Sequence, residues 1–245
     1  MPFAPEPLFA VPLIGLLAYL IFGISGFGSA LVTTGLLIHF LPLQTIVPLV
    51  VMVDFLGTVS RGVRFREHVD TAELKSLIPA VITGILSGAL LWATLPKQAS
   101  LLMLGGFVTS YGVFRLLTMP ATKLISHWWG IPAGLISGLI GGLFSVGGPI
   151  YATYLTARIP DPAKMRATLL AVFSFSTDLR LTAYLISGLL LQSEVWWAFL
   201  LLLGVDAGRP GHRLSLAREV NSRANGRFIG ILLVISGLSL PWKAV

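Results

Sequence analysis

The sequence predicts an all-α polytopic membrane protein made of two inverted repeats, each a broken, re-entrant helical hairpin followed by three transmembrane helices. Three observations carry that prediction. Charged residues make up 11% of the 245 and apolar ones 55%, whereas a water-soluble domain carries about 25% charged residues. Two apolar blocks are too long for one crossing and have Gly/Ser-rich interruptions in their middles. The first half of the chain also aligns with the second at a nearly constant offset.

The composition excludes several function classes. With a mean hydropathy of +0.87, too few charges remain to cover a water-facing surface. A soluble enzyme, a nucleic-acid binder and a disordered chain are set aside. The apolar runs are continuous, not alternating, which argues against a transmembrane β-barrel. There is no cysteine, so disulfides, thiolate chemistry and Cys metal sites are absent. The net charge of +7 reads as topogenic Lys/Arg in cytoplasmic loops. The flank MPFAPEP has no Lys or Arg and no A-x-A site follows, so the first block reads as retained and not as a signal peptide.

Repeat 1 covers 1–120, with a hairpin at 8–41 and transmembrane helices near 45–63, 76–95 and 99–118. Repeat 2 covers 121–245, with a hairpin at 128–157 and helices near 167–190, 195–214 and 228–242; the whole is one membrane domain. The blocks Leu8–Leu41 and Trp128–Ala157 hold 34 and 30 residues. Straight helices of that length would run about 51 and 45 Å against a hydrocarbon core of about 30 Å. The segments GISGFGS (Gly23–Ser29) and GGLFSVGGP (Gly141–Pro149) supply the breaks.

An offset of 119 aligns Gly15 with Gly134, Gly23 with Gly142, Gly28 with Gly147, Thr58 with Thr177 and Arg61 with Arg180. An offset of 120 puts Gly84 and Gly88 on Gly204 and Gly208, and one of 125 puts Gly105 and Gly112 on Gly230 and Gly237. Charge placement sets the topology. If the second long block leaves on the side it entered, 14 basic residues face the cytoplasm: Arg61, Arg64, Arg66, Lys75, Arg115, Lys123, Arg158, Lys164, Arg166, Arg209, Arg213, Arg218, Arg223 and Arg227. Only Lys97 and Lys243 face out. If every block crosses, the count breaks the positive-inside rule. Repeat symmetry makes the first long block a hairpin too. Each repeat then has three crossings, an odd number, so the second is inverted, which is a transporter architecture.

After each break a half-helix starts inside the membrane, near Gly28-Ser29-Ala30 and near Gly148-Pro149-Ile150. Pro149 suits a first helical turn. Free N–H groups and the positive dipole end make such a terminus an anion site. Glycines let an anion approach the backbone, and Ser29 or Ser145 could donate. Close helix packing is the alternative reason for Gly and Ser there. Arg180 lies well inside its helix, where a charge faces a cavity or a partner, or pairs structurally with Asp178 or Asp54. Arg61 sits near a cytoplasmic end, where snorkelling accounts for it. Asp54 could pair an arginine, carry a coupling proton or cap a helix, and Asp206 reads as structural. His39, His68, His127 and His212 fall at loop edges, so neither a metal site nor a catalytic histidine is expected. The pairs Trp128–Trp129 and Trp196–Trp197 read as interfacial belts. Gly23-Ile24-Ser25-Gly26 matches the G-x-S-G of intramembrane serine proteases, but no helix core offers the histidine base that chemistry needs. No catalytic residue and no cofactor are expected.

The segments FGISGFGSALVTTGLL (Phe22–Leu37), VPLVVMVDFLG (Val47–Gly57), GLISGLIGGLFSVGGPIYATYLTAR (Gly134–Arg158) and MRATLLAVFSFSTDLRLTAYLISG (Met165–Gly188) resemble the sulfite exporter TauE/SafE family of bacterial membrane proteins. The resemblance covers nearly the whole chain. It implies a multi-pass protein of the bacterial inner membrane that exports sulfite or small organosulfonates. Gly26, Phe27, Gly28, Ser29, Gly147, Gly148, Pro149, Asp54, Arg180 and Tyr184 match the family pattern. The expected substrate site is therefore Gly26–Ser29 together with Ser145, Gly147, Gly148, Pro149 and Arg180, with Asp54, Arg61 and Tyr184 as candidates for coupling or ion pairing. The expected partners are a small anion and membrane lipid, with no nucleic acid, and a homo-oligomer is allowed. The readings left open are a proton-coupled carrier of another organic anion and a non-transporting membrane scaffold or assembly factor.

Overall fold

The computed structural model describes residues 10–17, 29–62, 68–117, 124–207, 230–231 and 233–240. Among these, all regular structure is helical. The helices are α1 (Ser29–Leu37), α2 (Leu43–Gly62), α3 (Thr71–Thr94), α4 (Lys97–Leu117), α5 (Gly130–Phe144), α6 (Gly148–Arg158), α7 (Pro162–Ile186) and α8 (Ser193–Ala207). Residues 10–17 and 233–240 are helical as well. Among the described residues three helices are long and apolar enough to cross a bilayer: Thr71–Trp92, Lys97–Leu117 and Pro162–Ile186. A third of the residues in the most apolar stretch of each span are buried inside the protein, which leaves other apolar side chains to meet lipid. Trp128, Trp129, Trp196 and Trp197 are exposed at the starts of α5 and α8, where interfacial tryptophans belong.

Two helices begin well before their apolar blocks, because polar caps extend them into the loops. The Asp70 carboxylate accepts from Ala72 N at 3.1 Å and Glu73 N at 3.2 Å, so α3 starts at Thr71. Asp161 caps α7 by accepting from Ala163 N at 2.9 Å, with Pro162 in the first turn.

The chain divides into two units. One comprises 1–49, 95–119 and 190–245, the other 50–94 and 120–189. In the first, α4 and the helical residues 230–231 and 233–240 approach backbone to backbone. A Cβ on Gly112 would lie 3.0 Å from the Gly230 carbonyl, and one on Gly237 would lie 3.0 Å from the Gly105 carbonyl. The pairs run in opposite senses, so the two helices are antiparallel. In the same unit a Cβ on Gly15 would strike Leu202 of α8.

In the second unit α3 and α5 run parallel along a glycine seam. A Cβ on Gly84 would meet Gly138 Cα at 2.9 Å, and one on Gly88 would meet Gly142 Cα at 3.1 Å. No side chain larger than hydrogen fits there, so the G-x-x-x-G spacing sets how deeply the helices interlock. The chain then turns at Ser145, whose left-handed backbone (φ 61°, ψ 15°) closes α5 with a bond from Ser145 N to Gly141 O at 2.9 Å. Helix α6 runs back. Ile125 N donates to Ala157 O at 3.2 Å, and the Tyr154 hydroxyl donates to His127 O at 3.3 Å. Both ends of the 128–157 block therefore lie together. With 15 and 11 residues, α5 and α6 are about 22 and 16 Å long, each too short to span about 30 Å of hydrocarbon.

Candidate anion site at the second break

The break begins with glycine chemistry. The hydroxyl of Ser137 on α5 donates to the Gly147 carbonyl. A Cβ on Gly147 would collide with the Ser137 carbonyl, so only glycine allows the chain to fold back this closely. Helix α6 then starts at Gly148 with Pro149 in its first turn, where the absent N–H costs nothing. In that turn Pro149 has no N–H and Ile150 N donates back to Gly147 O at 3.2 Å, so it is the positive end of the helix dipole that faces the break.

Helix α7 brings the charge. Arg180 is only 4% exposed. Its Nε donates to Ser176 O at 3.1 Å and its Nη2 to Thr177 Oγ1 at 3.2 Å, so the side chain folds back one turn toward the start of α7. Its head group thus sits level with residue 176, about 21 Å along the helix. The break lies at a similar depth along α5, about 21 Å from Gly130. Both helices start at the end of this unit that carries Arg158 and Lys164. Among the described residues Arg180 has no ion pair, and its Nη1 makes no hydrogen bond. Asp178, a candidate structural partner, is exposed.

Hydroxyls complete the surroundings. Tyr184 is buried on α7 and donates to Gly142 O at 3.1 Å, beside Ser145. Tyr151, in the second turn of α6, is 2% exposed, and its hydroxyl has no hydrogen-bond partner. The hydroxyls of Ser137 and Ser176 and the charge of Arg180 are its polar neighbours. Its ring packs edge-on against Phe173 with centroids 6.1 Å apart. The Phe173 ring also lies where a Cβ on Gly148 would fall. A buried cation with a spare donor, a helix N-terminus and neutral hydroxyls can hold an anion. Among the described residues no cluster of three His, Asp or Glu side chains could hold a metal.

The structure thus gathers Ser145, Gly147, Gly148, Pro149, Arg180 and Tyr184 around one break. Gly26, Phe27 and Gly28 lie outside the described residues, as do the side chains of Ser29 and Arg61. Asp54 is half-buried on α2. Tyr151, Ser137, Ser176 and Thr177 were not expected. A hydroxyl in an apolar helix carries no periodic signal, and only the fold shows which ones reach the arginine.

A polar network ties down the opposite end of the hairpin. Glu73, buried in the first turn of α3, accepts from Arg158 Nε at 2.6 Å and from the Tyr154 hydroxyl at 2.8 Å. Lys164 pairs with Asp70 at 2.9 Å, and Thr168 Oγ1 accepts from Asp70 N at 2.9 Å. The Lys164 ammonium beside Asp70 holds its carboxyl below the usual carboxylate range, against a smaller opposing effect of burial.

The family described as sulfite exporter TauE/SafE matches residues 11–240. The chain is 26% identical over 197 residues to a probable inner membrane transporter protein, TsaS, of Comamonas testosteroni, covering 78% of this chain and 81% of that one. It is 24% identical over 181 residues to a probable sulfite/organosulfonate exporter, TauE, of Cupriavidus necator, covering 69% and 71%. No solved structure matches. The match spans nearly the whole chain and the fold is helical and apolar, so the chain belongs to the sulfite exporter TauE/SafE family and is a membrane transporter, not an enzyme.

Proposed function

We propose that this chain exports a small sulfur oxyanion, sulfite or an organosulfonate, across the bacterial inner membrane, binding it at the break between α5 and α6. One observation carries the reading: Arg180 is buried, has no carboxylate partner among the described residues and keeps one guanidinium nitrogen unbonded. An unpaired buried cation is destabilising unless something completes it, and a transported anion would do so. The family's description as a sulfite exporter and the name of the Cupriavidus necator relative support sulfur oxyanions as the substrate class.

The inverted-repeat reading has support of its own. Gly105 and Gly112 are repeat mates of Gly230 and Gly237, and the close approaches are Gly112 to Gly230 and Gly237 to Gly105. Reciprocal contact between mates is what a two-fold axis produces. Between antiparallel helices that cross a bilayer, such an axis lies in the membrane plane. The α5–α6 hairpin is then re-entrant from the cytoplasmic side.

An inside-negative potential favours anion exit by about 2.3 kcal/mol per charge per 100 mV, so export needs no coupling ion. Efflux of sulfite from proteoliposomes containing the purified protein should rise with an imposed inside-negative potential. Arg180→Met should abolish it. No flux through the parent would leave the scaffold reading. Flux indifferent to potential but lost when a proton gradient collapses would favour coupling through Asp54.

A further inference from the structure

The break holds a second unsatisfied donor, and its place suggests how the site chooses among anions. We propose that the Tyr151 hydroxyl is a specificity-determining donor that completes, with the free N–H groups of the Arg180 guanidinium, a donor set spread over two helices and matched to an SO3 head group. The inference rests on the anion reading above and adds to it a residue and a selectivity.

The neighbouring buried polar groups are already used. Ser137 donates to Gly147 O, Ser176 to Phe173 O and Tyr184 to Gly142 O. Arg180 Nε and Nη2 are bonded within α7. What remains is three guanidinium N–H groups, two on Nη1 and the second on Nη2, and the O–H of Tyr151. Unpartnered buried donors are rare, and each needs a reason. Packing does not supply one for Tyr151, because its contact with Phe173 uses only the ring, and phenylalanine would serve as well. The hydroxyls of Ser137 and Ser176 are its polar neighbours, and both donate elsewhere, to Gly147 O and Phe173 O.

The free donors come from two helices, the guanidinium from α7 and the phenol from α6. A pyramidal SO3 group offers three oxygens in different directions and can meet the guanidinium with two and the phenol with the third. A planar carboxylate can take two guanidinium hydrogens side by side but presents no third oxygen toward α6. Tyr151 therefore favours sulfonates over carboxylates of the same charge and tail.

The test is the affinity of the purified full-length parent and Tyr151→Phe for ethanesulfonate and propionate. In the parent, ethanesulfonate should bind more tightly. In Tyr151→Phe its affinity should fall about tenfold, the size expected for one hydrogen bond to a charged group, while propionate binding stays unchanged. Without ligand the variant should melt at or above the parent temperature, because the hydroxyl it loses has no partner. An unchanged ratio between the two anions would overturn the proposal, as would a variant that melts well below the parent or does not fold. A parent that binds neither anion would instead sink the anion reading itself.

Discussion

The two ends of the α5–α6 hairpin use similar residue types in opposite ways. At the outer end Glu73, Arg158, Asp70 and Lys164 are paired and Tyr154 donates to Glu73. At the break, Arg180 and Tyr151 each keep an unused donor. Polar groups joined to each other hold helices together. Polar groups left open inside a membrane are costly, and a ligand is what justifies them. On the proposed function the difference separates the part of the hairpin that anchors from the part offered to the anion, and it predicts opposite responses to mutation.

The sharpest contrast is between Arg180 and Glu73. Arg180→Met, expected to be silent in the flux assay, should leave the ligand-free protein as stable as the parent or more so, because it removes an unpaired buried charge. Glu73→Gln should do the reverse. It weakens the bonds to Arg158 and Tyr154 and should cost about 2 kcal/mol of stability, as hydrogen bonds to a charged group do. Thermal unfolding in detergent measures both. A stable Glu73→Gln with an unstable Arg180→Met would reverse the assignment of the two ends.

Asp70 should give the smallest effect. Its pair with Lys164 is partly exposed, so Asp70→Asn should cost under about 1 kcal/mol, with asparagine keeping the cap of α3. The pH dependence has a definite sign. Because the folded carboxyl titrates below its unfolded value of about 3.9, its contribution is fully present above that pH. It disappears as the pH falls through the lower folded value. The stability difference between parent and Asp70→Asn should be constant at neutral pH and shrink only below about pH 4. A difference that already shrinks near pH 6 would point to another group.

The sequence exposed much of the fold, and it did so where the physics is periodic or forbidding. A 30-residue apolar run with GGLFSVGGP at its centre leaves few options, and the helix does break at Ser145–Gly147. Gly105, Gly112, Gly230 and Gly237 were matched as repeat mates, and they are also the residues at which the two helices touch. Arg180 stood out because a charge inside an apolar helix is expensive. The outer network was not readable, since Glu73 and Arg158 lie 85 residues apart and neither position is unusual at a helix end. Tyr151 was equally hidden. Only the return of α6 puts its hydroxyl in the field of Arg180 without a partner.

The central claim is that the unused donors at the break receive the anion. The position of a bound anion tests it most directly. Selenite, the heavier homologue of sulfite, scatters anomalously and can be located in crystals of the purified protein soaked with it. The account predicts an anomalous peak within hydrogen-bonding distance of Arg180 Nη1 and the Tyr151 hydroxyl, lost in Arg180→Met. A peak that persists in Arg180→Met, or one found only against Arg158 and Lys164 at the outer end, would contradict it.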